Sequence, residues 1–315
     1  MLDLWRLQVL KEFAQRGTIA GTAKALGYTP SAVSQQLSAL EREAGTQLLD
    51  RTARSAELTD SGRLLAVHAE QILAMVEAAE SVLAAQSGVA QGLVTVTAFP
   101  TAALALAPLL AQSLRRHEGL QLVLRQSIGA ASVREVASAE VDIAVIDDWS
   151  GRRPDSRAGK LRHVHLLRDP LVLALPSGHP LAEPGQPVEL PRLLEEPWIA
   201  APRGEPSRAG TDRLFAAVGG PPATAWEFQG QGTILNLVAR GIGIAAVPAL
   251  ALAADTTSDL TFRLLPQAPT RDAYAVVRAT SLRRPAIEAT LRALREAAAE
   301  VQQTLDESLT GAESK

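Results

Sequence analysis

The sequence predicts a multidomain chain: an α-rich winged helix-turn-helix, a long helix, and then an α/β region. Three observations carry this. Residues 18–43 read as two short helices joined by a glycine turn. Residues 59–85 hold a nearly continuous apolar stripe at helical spacing. From Leu93 onward strands and helices alternate, an order that implies parallel pairing.

Leu4, Leu7, Leu10, Phe13 and Ala14 form an amphipathic stripe suited to pack under the helix pair. The first short helix is Ala20–Leu26, and Gly27 follows where a helix stop tolerates positive φ. Thr29 offers an N-cap oxygen and Pro30 fits the first helical position, so the second helix starts at about Pro30. Val33, Leu37 and Leu40 make its apolar stripe. Ser31, Gln35, Ser38 and Arg42 point away from that stripe, Ser34 lies beside them, and Gln36 sits nearer the apolar edge. A merely solvated helix more often shows Glu and Lys. Short hydroxyl and amide groups reach base edges: Gln pairs with adenine, and Ser donates or accepts at either base type. This is the surface of a helix that enters the DNA major groove. After Gly45, Leu48 and Leu49 with a return at Leu58 suggest a wing. Arg51 and Arg54 stand on the turn between them, placed to clamp phosphates or enter a minor groove.

The order of helix, GTIAGTAKALGYTPSAVSQQLSALE, GTQLLDR and LTDSG resembles a LysR-type transcriptional regulator. In that family the first residues of the second helix touch DNA, together with a wing arginine. The resemblance implies these roles for Pro30, Ser31, Ser34, Gln35 and Arg54. Thr29, Ser38 and Arg51 complete the expected DNA-facing set. Many members carry a basic residue where Gln35 stands, so this helix should depend more on hydrogen bonding and the wing more on charge.

The chain has 315 residues and a formal net charge of −3, with a pI of about 6.0. Residues 1–58 contain seven Lys/Arg and six Asp/Glu, so non-specific DNA affinity should be modest and specificity should rest on placed contacts and avidity. Cysteine is absent, which excludes a thiol redox sensor, a disulfide framework and a Cys-ligated metal. It also separates the chain from the peroxide-sensing branch of the family. No cofactor is expected. No signal peptide precedes the first helix and no apolar run spans a bilayer, so the expectation is a cytoplasmic protein with no membrane partner. Aromatic residues are only 3%, which makes the core mainly aliphatic.

Thr59 caps a helix expected to run to about Ala85, with Leu65, Ile72, Leu73, Val76, Ala79 and Val82/Leu83 on one stripe. So long a helix needs a partner, and its own copy in a dimer is the natural one; the family's linker helix dimerises. Gly88 and Gly92 end this segment. The expected divisions are 1–58 (winged helix-turn-helix), 59–87 (linker helix), 92–300 (effector-binding domain) and 301–315 (a polar, fraying tail).

Within 92–300, strands are expected at LVTVTA, LQLVLRQ, VDIAVI, 171–176, 197–201, 244–248 and Tyr274–Arg278. Helices are expected at Thr101–His117 and Ser132–Glu140, the latter opening with a capping box of Ser132 and Glu135. VDIAVI, GHPLAE and LVARGIGIAAVP resemble segments of the family's regulatory region. The resemblance implies a two-lobed α/β effector domain like a periplasmic binding protein, with the chain crossing between lobes twice. The crossings are placed near 163–167 and 264–268, giving lobe I as 92–165 plus 266–300 and lobe II as 166–265.

Small molecules bind doubly wound sheets at strand carboxyl ends, where helix N-termini favour anions. That rule selects Phe99 and Thr101, Ser127 and Ile128, Pro202 and Arg203, and Gln231 and Thr233 in the stretch Gln229–Thr233. Thr101, Ser127 and Thr233 supply hydroxyls, Arg203 a counter-ion, and Phe99 and Ile128 apolar wall. These positions coincide with the family's effector cleft, and the expected ligand is a small organic acid or amino-acid-like molecule.

Asp147–Asp148 reads as a solvated strand end. His163 and His165 lack a third metal ligand nearby. Dinucleotide fingerprint, P-loop and G-x-S-x-G are all absent, and nothing supports catalysis. The expected partners are promoter DNA, a small effector, a second copy in a dimer or tetramer, and the transcription machinery. The alternative is a small-molecule-binding protein or enzyme whose helical N-terminus only oligomerises. The missing export signal and catalytic set stand against it, and DNA retention that falls steeply with salt separates the two.

Overall fold

The computed structural model describes residues 1–51, 56–151, 159–183, 188–254 and 259–314. They divide into two units, Met1–Gly88 and Val89–Lys315.

The first unit contains α1 (Leu4–Arg16), α2 (Ile19–Leu26), α3 (Pro30–Ala44), β1 (Leu49–Arg51), β2 (Ala56–Leu58) and α4 (Asp60–Ser87). Every helix start is closed by its own side chain: Asp3 accepts from the Arg6 N–H, Thr18 from Gly21, Thr29 from Ala32 and Thr59 from Gly62. Leu7, Leu10, Phe13, Val33, Leu37, Leu40, Leu48 and Ala69 form one aliphatic core under α2 and α3. The short antiparallel wing pairs Leu49 with Leu58 and Arg51 with Ala56. Thr59 fastens the wing to α4: its N–H bonds the Leu48 carbonyl at 3.0 Å and its hydroxyl the Gln47 carbonyl at 2.9 Å. Gly62 is required there, because a Cβ would overlap the Leu48 carbonyl oxygen. The first turns of α4 bury Ala66 and Ala69, while Leu64, Val67, Met75, Val82 and Leu83 are exposed.

The second unit runs β3 (Gly92–Ala98), α5 (Pro100–Leu114), β4 (Leu120–Gln126), α6 (Ala130–Ala137), β5 (Ile143–Asp148) and β6 (Leu161–Pro176). It continues with α7 (Leu190–Leu193), β7 (Trp198–Ala200), α8 (Pro206–Phe215), β8 (Thr224–Glu227), α9 (Gln231–Ala239) and β9 (Ala245–Pro248). It ends with β10 (Leu260–Leu264), β11 (Thr270–Arg278) and α10 (Pro285–Ser314). In lobe I, β4, β3 and β5 are parallel, and β11 runs antiparallel to both β5 and β6. In lobe II, β6 continues between β9 and β10, while β7 and β8 are parallel and Trp198 bridges to Ile244. One strand therefore serves both lobes. Pro170 is the last residue of β6 to pair with β11, and Leu171 already pairs with Pro248 of β9.

Four expectations are corrected. The first crossing falls at Pro170, beyond the 163–167 placement, and the whole of 161–170 is strand rather than connection. Strands β8 and β10 were not anticipated. The helix expected at Ser132 starts at Ala130 after Gly129, whose φ of 61° only glycine adopts freely, so Ser132 is no cap. It is buried and donates to the Ser127 hydroxyl at 3.0 Å. Residues 301–314 are not a frayed tail. They are the last turns of α10, which bury Val301 and Leu305, and the Gln302 side chain accepts from the Arg168 N–H at 2.8 Å.

Candidate nucleic-acid interface and ligand cleft

On α3, Ser31, Gln35 and Arg42 project away from the core stripe, as the spacing required, and Pro30 stands exposed at the first turn. Ser34 and Ser38 are half-buried for a specific reason. Arg51, at the end of β1 rather than on the turn, reaches back across the helix. Its guanidinium donates to the Ser34 hydroxyl at 2.8 Å and to the Ser38 hydroxyl at 2.9 Å. Glu41 lies 3.5 Å from the same guanidinium, and its other oxygen accepts the N–H groups of Leu48 and Leu49, each at 3.0 Å. Thus Glu41 joins α3 to the wing. Thr29 spends an oxygen lone pair on the Ala32 N–H. Gln36 accepts from Arg6, which is also paired with Glu43, so it holds α1 against α3. Arg54 lies outside the described residues. Sequence reasoning missed Trp5 and Tyr28, an exposed aromatic pair 5.3 Å apart, with Tyr28 just before α3. A groove of about 630 Å³ between α1, β2 and α4, with Phe13, Leu58, Ala66 and Val67 on its walls, completes this unit's surface.

In the second unit the predicted cleft residues fall at strand ends in two groups. Phe99 and Thr101 follow β3, and Ser127 and Ile128 follow β4; the Ser127 N–H bonds the Ala98 carbonyl at 3.2 Å, joining those two loops. Pro202 and Arg203 follow β7, and Gln231 and Thr233 open α9 after β8. The Phe228 N–H bonds the Ala200 carbonyl at 3.0 Å, joining that second pair. Phe99 is a buried core residue rather than an open wall, Ile128 is 56% exposed, and Arg203 and Thr233 are exposed. Gln231 buries its side-chain oxygen with no donor among the described residues.

Thr101 carries the most informative geometry. It is buried on the first turn of α5, and Arg271 donates to its hydroxyl at 2.6 Å. The guanidinium also pairs with Asp169 at 2.7 Å and Asp147 at 3.2 Å. It lies 4.6 Å from the centre of the Phe99 ring and 5.6 Å from that of Trp149. Asp169 in turn accepts the Leu250 N–H of lobe II at 2.9 Å. Burial pushes the Asp169 carboxyl above its ordinary pKa, with Arg271 and the Leu250 N–H pulling it back. This network knits both crossings to both lobes, and of its members sequence reading singled out Phe99 and Thr101 for the cleft but neither Arg271 nor Asp169. Asp147 therefore does not behave as the solvated strand end expected: it binds Arg271 and the Trp149 indole N–H at 3.0 Å, while Asp148 turns away to bond Ser150. Arg271 sits just ahead of the strand expected at Tyr274–Arg278, and no local signal marks it.

The helix starts here differ from those of the first unit. Phe99, Gly129, Glu205 and Gly230 precede α5, α6, α8 and α9, and none caps its helix with a side chain. The leading N–H groups are thus left for another acceptor. His163 and His165 both flank the Tyr274 ring, and His165 pairs with Asp272 at 2.9 Å. Burial lowers the His163 pKa, with Asp148 opposing. Among the described residues no three His, Cys, Asp or Glu cluster as metal ligands, and no helix is long and apolar enough to cross a membrane.

Comparisons with known proteins bear on both surfaces. A family model described as "Bacterial regulatory helix-turn-helix protein, lysR family" matches residues 4–63. One described as "LysR substrate binding domain" matches residues 87–299. The protein named Probable HTH-type transcriptional regulator LrrA, from Synechococcus elongatus, is 28% identical over 305 residues, 96% of this chain and 100% of that one. HTH-type transcriptional regulator CbbR of Xanthobacter flavus is 29% identical over 80% of this chain and 74% of its own. Full-length OxyR from Pseudomonas aeruginosa, in a cysteine-to-aspartate variant, shares the fold at a TM-score of 0.68 and 18% identity, covering 94% of this chain and 98% of that one. Full-length CbnR, solved in complex with its target DNA, matches at a TM-score of 0.52 and 22% identity over 94% of this chain and 100% of its own.

Proposed function

This chain belongs to the LysR family, DNA-binding transcriptional regulators with an effector-binding domain, and on that premise we propose that its effector is a small organic acid or amino-acid-like molecule held between the two lobes. The observation that carries this reading is the Thr101 hydroxyl. Arginine can only donate, so the Arg271 bond occupies a Thr101 lone pair and leaves the hydroxyl proton for a ligand acceptor. The uncapped N-termini of α5, α6 and α9 favour the same kind of group, an anion. The unpaired Gln231 oxygen suits a ligand that also carries an N–H or O–H donor, and exposed Arg203 supplies a counter-ion. The test is calorimetric titration of the full chain with a panel of small carboxylates, then of Thr101→Ala and Arg203→Ala with any that binds. Each substitution should weaken binding about tenfold, the loss of one charge-assisted hydrogen bond. Unchanged affinity in both variants would sink this placement.

At the other unit, Thr29, Pro30, Ser31, Ser34, Gln35 and Ser38 are proposed to face the major groove, with Arg51 at the α3 surface beside them and Arg54 contributed by the wing. Gln35→Ala should cost roughly 1–3 kcal/mol and relax base preference. Arg54→Ala should lower affinity for all sequences alike. Equal sequence profiles for the two variants would contradict that division. The exposed Leu64, Val67, Met75, Val82 and Leu83 on α4 support a dimer through this helix, open to further assembly into a tetramer. The protein so read works in the cytoplasm on promoter DNA and the transcription machinery, with no catalytic step. The helix-turn-helix match at residues 4–63 supports a DNA-binding N-terminus over a merely oligomerising one.

A further inference from the structure

We propose that Arg51 is a positioning residue for base selection: it biases Ser34 and Ser38 toward donating hydrogen bonds to DNA. The proposal rests on the reading of α3 as the DNA-contacting helix.

Its basis is the direction of hydrogen bonding. Ser34 and Ser38 stand one turn apart and share a face of α3. Both hydroxyls accept from the Arg51 fork, at 2.8 and 2.9 Å. A serine hydroxyl has one proton and two lone pairs, and a guanidinium has no lone pair to offer in return. Each serine therefore keeps its proton. In a helix that proton is often spent on the carbonyl four residues back, as Thr22 spends its own on Thr18. Neither Ser34 nor Ser38 donates to any acceptor among the described residues. Glu41 keeps the guanidinium in place, 3.5 Å away, and is itself anchored by the Leu48 and Leu49 N–H groups. Arg51 is thus engaged across α3 by three side-chain oxygens, not extended from the wing.

Two hydroxyls biased toward donating make a chemical choice in the major groove. Guanine O6 and N7, adenine N7 and thymine O4 accept, whereas the cytosine amino group donates. Bases facing Ser34 and Ser38 should therefore be acceptors in preference to cytosine, whose amino group has only one lone pair of each hydroxyl left to use. Without Arg51 both lone pairs of each hydroxyl are open and the hydroxyl turns freely, so cytosine is accepted more readily. A phosphate-clamping arginine would act differently, adding affinity for every sequence and steepening the salt dependence.

The experiment is selection of the full-length chain on a random duplex DNA pool, followed by salt titration on the selected site. The wild type is compared with Arg51→Gln, Arg51→Lys, the pair Ser34→Ala with Ser38→Ala, and the triple variant. The serine pair identifies the base positions concerned. Arg51→Gln should raise acceptance of cytosine at those positions about tenfold, with an unchanged salt slope. It should add nothing once both serines are alanine. An unchanged base profile with a salt slope smaller by about 0.9 would overturn the proposal and make Arg51 a phosphate clamp. If Arg51→Gln binds no DNA, Arg51→Lys decides: its single ammonium cannot span both hydroxyls, so discrimination should fall at one position with the slope preserved, and a wild-type profile overturns the proposal. A wild type that selects no sequence at all would overturn the DNA-reading role of α3 itself, a failure distinct from that of Arg51.

Discussion

In the N-terminal unit Asp3, Thr18, Thr29 and Thr59 close the starts of α1 to α4, each within the helix's own first turn. In the C-terminal unit Phe99, Gly129, Glu205 and Gly230 leave the starts of α5, α6, α8 and α9 without a side-chain cap. The buried charges differ as well. The C-terminal unit ties Arg271 to Asp169, Asp147 and Thr101, residues brought together from distant parts of the chain. The N-terminal unit closes its helix starts locally, and its longer-range polar contacts, such as Arg6 with Glu43 and Arg51 with Ser34 and Ser38, tie neighbouring elements of one small core together. The C-terminal unit satisfies Arg271 and Asp169 over long range, and four of its helix starts carry no side-chain cap. An effector-responsive domain has use for open donors, since a ligand shifts an equilibrium only through contacts that differ between states.

The largest expected effect breaks the long-range network. Arg271→Ala leaves the buried Asp169 and the half-buried Asp147 without their cation and should destabilise the second unit by about 3–5 kcal/mol in urea unfolding. Its pH dependence has a definite sign. Burial already raises the folded-state pKa of Asp169. A carboxyl so raised contributes stability that is fully present below its unfolded pKa and lost as pH rises through its folded one. Removing Arg271 raises that pKa further. The deficit of the variant should therefore shrink as pH is lowered through the raised Asp169 titration. A deficit independent of pH would show that the ion pair is not its source.

A smaller effect tests the locally closed unit. Thr29→Ala removes the cap of α3 and should cost about 1 kcal/mol, with no change in effector binding. Circular dichroism melts and calorimetry check the two halves of that statement, and a loss of effector affinity would blur the contrast between units. The smallest effect supplies what the second unit lacks. Glu205 has extended backbone at the start of α8, so Glu205→Asp should add a cap and about 0.5–1 kcal/mol. A loss of stability there would mean that the open start is structurally required.

The same contrast explains what could be read from the sequence. Gly27, Thr29, Pro30 and the stripe Val33, Leu37, Leu40 are local signals, and the structure places them as read. The wing and the long α4 followed for the same reason. Ser132 with Glu135 imitates a capping box, but the glycine at position 129 starts the helix earlier, and burial of the Ser132 hydroxyl against Ser127 overrides the pattern. The end of α10 was masked by its polar composition, although Leu294, Ala298, Val301 and Leu305 keep the helical stripe going. Thr101 was found from strand–helix topology. Its partner Arg271 was not, because an arginine at a strand start carries no mark of a carboxylate about a hundred residues away. Arg51 was found as a residue but assigned to the wing turn, since nothing in the spacing shows a side chain folding back onto Ser34 and Ser38.

The most direct test of the account is a footprint of the full-length protein on the DNA upstream of its own coding sequence and on sites recovered by genomic pull-down, at moderate salt, with and without small carboxylates. The expected result is a protected interrupted palindrome whose pattern of protection changes with at least one carboxylate, and in which Thr101→Ala blunts the change. Specific protection that no small acid alters, in wild type or variant, would contradict the role given to the open helix starts.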